Sequence, residues 1–61
     1  MTLEHQTEEL IDELYDANTY IAVKYIEELY EWLDLWLFHR SRAAKNGLIV
    51  TIKQARRYLY Y

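Results

Sequence analysis

Cysteine and proline are absent from this 61-residue chain, and glycine and serine occur once each, as Gly47 and Ser41. Without cysteine there can be no disulfide, thiol nucleophile or thiolate zinc site, and a reducing compartment is compatible with the composition. Without proline the strongest helix breaker is missing. One glycine is too few for a phosphate-cradling loop or a nucleophile elbow. The two histidines, His5 and His39, stand far apart, and no Glu-x-x-His pattern of the di-iron kind occurs. His5, Glu9 and Asp12 share a helical face, but they lie near a fraying terminus and are read as exposed side chains. No enzyme activity, cofactor or metal is therefore expected. No run of about 18 uncharged apolar residues offers a membrane span, and Met1-Thr2-Leu3-Glu4 lacks the apolar start of a secretory signal. The expectation is a soluble cytoplasmic protein. The stretch "LYEWLDLWLF" could lie on a membrane, but its acidic polar face would be repelled by anionic headgroups.

What is present is apolar and aromatic: 52% hydrophobic and 16% aromatic residues, far from the signature of a disordered chain. The length allows one domain, residues 1–61, and a chain this short buries only about 60% of its unfolded surface. Its stability then calls for tight packing, self-association or a partner.

The scarcity of breakers and the spacing of apolar residues predict an all-α fold. Leu10, Leu14, Ala17, Ile21, Tyr25, Leu29, Trp32 and Trp36 step by three or four, a helical stripe with one phase shift. If Asp16–Thr19 turns, with Asn18 left-handed or Thr19 capping, a helical hairpin or three-helix bundle results. If the helix runs straight through, the shift is a coiled-coil stutter and the chain must dimerise. The hairpin is preferred, because one long helix leaves almost no core. A long central helix is expected over about 20–46, stopped by Gly47 after Arg40, Arg42 and Lys45. The segment Leu48–Ile52 is β-branched and could be a strand paired across a dimer. The capping-box pattern in Thr51–Gln54 instead predicts a short final helix over about 52–60, burying Ile52, Ala55 and Leu59.

Charge is sharply segregated. Residues 1–34 hold ten acids and one lysine, a net −9, whereas residues 35–61 hold six cations and no acid, +6. Two structural explanations are available: helix-dipole placement, and pairing of the two halves within one fold. The functional explanations are a basic patch for nucleic acid and an acidic surface that meets a basic partner or competes for a partner's DNA-binding face.

Leu35-Trp36-Leu37-Phe38 places four large apolar side chains in a row, which on a helix point to four quadrants and cannot share one packing face. Trp32 and Trp36 lie on the main stripe and are expected in the core, while Leu35 and Phe38 are left for an interface. Tryptophan, tyrosine and arginine dominate energetic hot spots. The expected protein-binding residues are therefore Trp32, Leu35, Trp36, Phe38 and Arg40, with Arg57, Tyr58 and Tyr61 second. They imply a small adaptor, inhibitor or assembly factor that self-associates, a dimer first. The alternative is a nucleic-acid-binding regulator using Arg40, Arg42, Lys45, Lys53, Arg56 and Arg57, with tyrosines beside them to stack on bases. Residues 42–59 loosely resemble a helix-turn-helix, although Thr51-Ile52 come about one residue early and Leu48-Ile49-Val50 fill a turn that is normally polar.

Overall fold

The computed structural model describes residues 2–60, which form three helices: α1 (Leu3–Ala17), α2 (Tyr20–His39) and α3 (Arg42–Tyr60). They pack as an all-α three-helix bundle, and no strand occurs among the described residues. The Cα atoms span 30 × 21 × 15 Å. A straight helix of this chain would run about 90 Å at ~1.5 Å per residue, so the stutter alternative is not the fold.

Each helix begins at a hydroxyl that takes up backbone donors the helix cannot satisfy itself. Thr2 Oγ1 accepts from the His5 N–H at 3.1 Å, Thr19 Oγ1 from Ala22 at 3.1 Å, and Ser41 Oγ from Ala44 at 3.4 Å. The α1–α2 turn falls where the sequence places it. Asn18 is left-handed (φ 51°) and donates its N–H to the Leu14 carbonyl, and Thr19 caps α2. Tyr58 of α3 is hydrogen-bonded to Thr19, which ties this turn to the third helix.

The second turn lies elsewhere than the spacing predicts. Helix α2 ends at His39, not near residue 46, and Arg40 takes the left-handed position (φ 50°), its N–H bonded to the Trp36 carbonyl at 3.0 Å. Gly47 has no positive φ and sits inside α3. Thr51 does not cap a helix; its hydroxyl donates to the Gly47 carbonyl one turn back at 2.8 Å. Leu48–Ile52 is helical throughout. The reason is packing. Ala44, Leu48, Ile52 and Ala55 form one buried stripe that crosses Gly47 without a phase break, and only a reversal before Ser41 folds that stripe back onto α2.

The core is the meeting line of three such stripes: Leu10, Ile11 and Leu14 from α1, Ala22, Ile26, Leu29 and Leu33 from α2, and the α3 set. Leu14, Leu29 and Leu48 are fully buried, each worth roughly 1.5–3 kcal/mol. Ala17 and Ile21, expected on the stripe, are exposed, because the turn between them rotates α2 so that Ala22 and Ile26 face inward instead. Buried Thr7 bonds back to the Leu3 carbonyl at 2.8 Å, and no buried side-chain nitrogen or oxygen among the described residues lacks a partner.

Candidate protein-interaction site

Helix α2 is amphipathic for most of its length and loses that character near its end. Leu29 and Leu33 point into the core, and Trp32 and Trp36 are half-buried against it. Leu35, Leu37 and Phe38 stay outside, 39%, 37% and 79% exposed. Four consecutive residues at ~100° each cannot all reach one core, and here three of the four stay outside.

Trp32 packs its indole face on the backbone of Gly47, so closely that a β-carbon built there would lie 2.7 Å from the ring. This contact seats α3 on α2 and leaves an open groove of about 530 Å³ between their outer edges. Trp32, Leu35, Val50 and Thr51 line it, with Glu28, Glu31 and Asn46 around them. Phe38, one turn beyond Leu35 on the same side of α2, extends the apolar surface toward the Arg40 corner. At that corner the Trp36 ring has the Arg40 guanidinium at 5.3 Å and the Lys45 ammonium at 5.7 Å, both within cation–π range. The α2–α3 reversal therefore gathers Trp32, Leu35, Trp36, Phe38 and Arg40 into one region.

Arg57 and Tyr58 lie elsewhere. They line a separate hollow with Tyr25 and Gln54, where the Tyr25 and Tyr58 rings stand 5.8 Å apart. Tyr25 precedes Trp32 by seven residues, about 10 Å along α2. Tyr61 lies outside the described residues. Val50, 51% exposed, and the acids Glu28 and Glu31 are groove residues that sequence reasoning missed. Reading Val50 as outward-facing requires continuing α3 through Gly47, which ordinary stop rules forbid.

Arg40, Arg42, Lys45, Lys53, Arg56 and Arg57 are all exposed. The helix-turn-helix resemblance does not survive, because residues 42–60 form one unbroken helix with no turn to present a recognition helix. The exposed cations remain as a basic face of α3.

Neither structural account explains the charge segregation in full. Among the described residues the one contact within 4 Å between a basic and an acidic side chain is His5–Glu9, at 3.2 Å on one helix, and no lysine or arginine pairs with a carboxylate. Dipole placement is met only in part, by Glu4 in the first turn of α1 and Arg57 in the last turn of α3. Helix α1 closes with no cation in its last turn, and α3 opens on Arg42 with no acid in its first. A polar link between the charged halves is the Tyr60 hydroxyl, which donates to Glu13 at 2.8 Å; that hydrogen bond, then desolvation and the Glu13 charge, hold the phenol pKa above its ordinary 10.0.

No helix among the described residues is long and apolar enough to cross a membrane. No group of three or more His, Cys, Asp or Glu side chains among them is placed to hold a metal ion. Comparison with protein-family models, with curated proteins and with solved structures finds no match to this chain.

Proposed function

We propose that this protein is a non-enzymatic interaction module of the cytoplasm that acts by occupying a surface on another protein, as an adaptor, inhibitor or assembly factor. The observation that carries this reading is the exposure of Leu35 and Phe38 beside the Trp32 groove. Hiding such side chains is worth roughly 1.5–3 kcal/mol apiece, and a bundle this small has only about 3–9 kcal/mol of net stability. The anchors are Trp32, Leu35, Phe38 and Val50, with Trp36 and Arg40 at the corner; Arg57 and Tyr58 belong to the second hollow, further along the same two helices. Mechanism here means shape and desolvation, so partner activity changes by exclusion or by bridging.

The test is the double variant Leu35→Ser/Phe38→Ser. Both side chains face outward, so helix content by circular dichroism should match the parent and the melting temperature should shift little. Capture of the cognate protein from the native host should fall at least about 30-fold, as for loss of a hot spot. Loss of helix content would place these residues in the core, and undiminished capture would remove this face from the function.

A second reading, nucleic-acid binding through α3, is supported by its exposed cations, which have no carboxylate partner among the described residues. It predicts oligonucleotide binding that weakens steeply with salt. Failure to bind at low ionic strength would discard it.

A further inference from the structure

We infer that the occupant of the α2–α3 groove is a second copy of this chain, related by a two-fold axis parallel to the helices. This rests on the reading of the face as an interaction surface: in the free protein a second copy fills the groove, and a cognate protein competes with it there.

The groove is lined by Glu28, Glu31 and Leu35 of α2 and Val50 of α3; Lys53, one turn on from Val50, and Arg57, a turn further in the neighbouring Tyr25–Tyr58 hollow, continue that edge of α3, and all six are exposed. The two helices run antiparallel, with Trp32 against Gly47 and Tyr25 against Tyr58. Taking the mean register of these two contacts, with the same rise per residue on both helices, puts Glu28 level with Lys53, Glu31 about level with Val50, and Phe38 about level with Ala43. A closed dimer can bring this face onto itself in two ways. An axis across the helices lays α2 on α2 and α3 on α3, acid against acid and base against base. An axis along them lays each α2 on the partner's α3 at the same level. Only the second is electrostatically complementary. It sets Glu28 opposite the partner's Lys53 on both flanks and Phe38 opposite the partner's Ala43. The facing grooves then pool Trp32, Leu35 and Val50 of both copies into one apolar centre, in the manner of a four-helix bundle. Lys24 comes level with the partner's Arg57, the one like-charge pairing on this face. The net opposition of an acidic α2 and a wholly cationic α3 outweighs it. The arrangement also accounts for lysines and arginines that pair with no carboxylate among the described residues.

The experiment is sedimentation of the full chain from micromolar to millimolar concentration, at low and high salt. A dimer is expected, weakening as salt screens the flanks. Glu28→Lys and Lys53→Glu, both at exposed positions, should each weaken self-association by about tenfold or more with unchanged helix content. An equimolar mixture of the two should restore it, because both flanks of the mixed dimer are again complementary. With no native cysteine, Glu31→Cys and Val50→Cys should cross-link to each other through a short bis-maleimide more readily than either does to itself. A monomer at millimolar concentration and low salt would overturn the inference. So would a dimer indifferent to both charge reversals, a mixture that is not rescued, or preferential Glu31→Cys self-cross-linking. The interaction-module reading fails separately: it is lost if Leu35→Ser/Phe38→Ser leaves cognate capture intact, whatever the sedimentation result.

Discussion

Replacing Gly47 with alanine sets two well-understood effects against each other. In an ordinary helix interior the change stabilises by about 1 kcal/mol, since glycine has the higher backbone entropy to lose. At residue 47 the added methyl would stand 2.7 Å from Cδ2 and Cε2 of Trp32 and 2.8 Å from Cε3. These are central atoms of a rigid ring packed against the core, so relief requires the whole indole, or α3 itself, to move. Overpacking of this kind costs roughly 1–3 kcal/mol. The sum is a net destabilisation of about 1 kcal/mol, which in a domain this small lowers the melting temperature by about 4–8 °C. Thermal denaturation followed by circular dichroism reads it directly. The same substitution made beside Trp32→Leu should reverse sign and stabilise, because the smaller side chain leaves room for the methyl and only helix propensity remains. The cycle of four proteins should then give a coupling of about 1–3 kcal/mol between positions 32 and 47. A Gly47→Ala protein that melts higher than the parent would refute the claim that the indole contact, rather than chain flexibility, is why glycine stands there.

At the second turn Arg40 is left-handed, so Arg40→Gly should be more stable than Arg40→Ala by about 1 kcal/mol, the reverse of their order inside a helix. Equal melting temperatures for the two would show that the turn relaxes out of that conformation. The Tyr60–Glu13 contact predicts a pH effect. The folded state holds the phenol proton more tightly than the unfolded chain, so its contribution is complete below about pH 10 and is lost as pH rises through the raised Tyr60 pKa. Between pH 9 and pH 11 the parent should therefore lose more thermal stability than Tyr60→Phe, and parallel pH profiles would discard the contact.

The first turn was legible because its chemistry is local. Asn18 tolerates the left-handed conformation and Thr19 offers a hydroxyl to Ala22, and both properties can be read within five residues. The second turn was not. Arg40 is an ordinary helix former and Ser41 a lone N-cap without a Glu or Gln three residues on, whereas Asn46-Gly47 is a far stronger stop signal on paper. What overrode it was the apolar stripe of α3, visible only if Ala44, Leu48, Ile52 and Ala55 are counted across Gly47. The candidate site divides the same way. Leu35 and Phe38 were recognisable as misfits on a helical wheel, and both are exposed. Val50, Glu28 and Glu31 were invisible as groove residues, since their neighbourhood is made by α3 lying along α2.

By itself the sequence determined the class of fold, a preference for the first hairpin and the surplus of apolar surface at the end of α2. These follow from periodicity, capping and the count of breakers, all short-range properties of the chain. Tertiary structure alone decided that Gly47 is a seat for Trp32 rather than a stop, that α3 is one helix, and that no lysine or arginine meets a carboxylate among the described residues. Those outcomes depend on which stripe packs on which, and burying Leu48 and Ile52 against α2 stabilises the chain by more than a local stop signal can oppose.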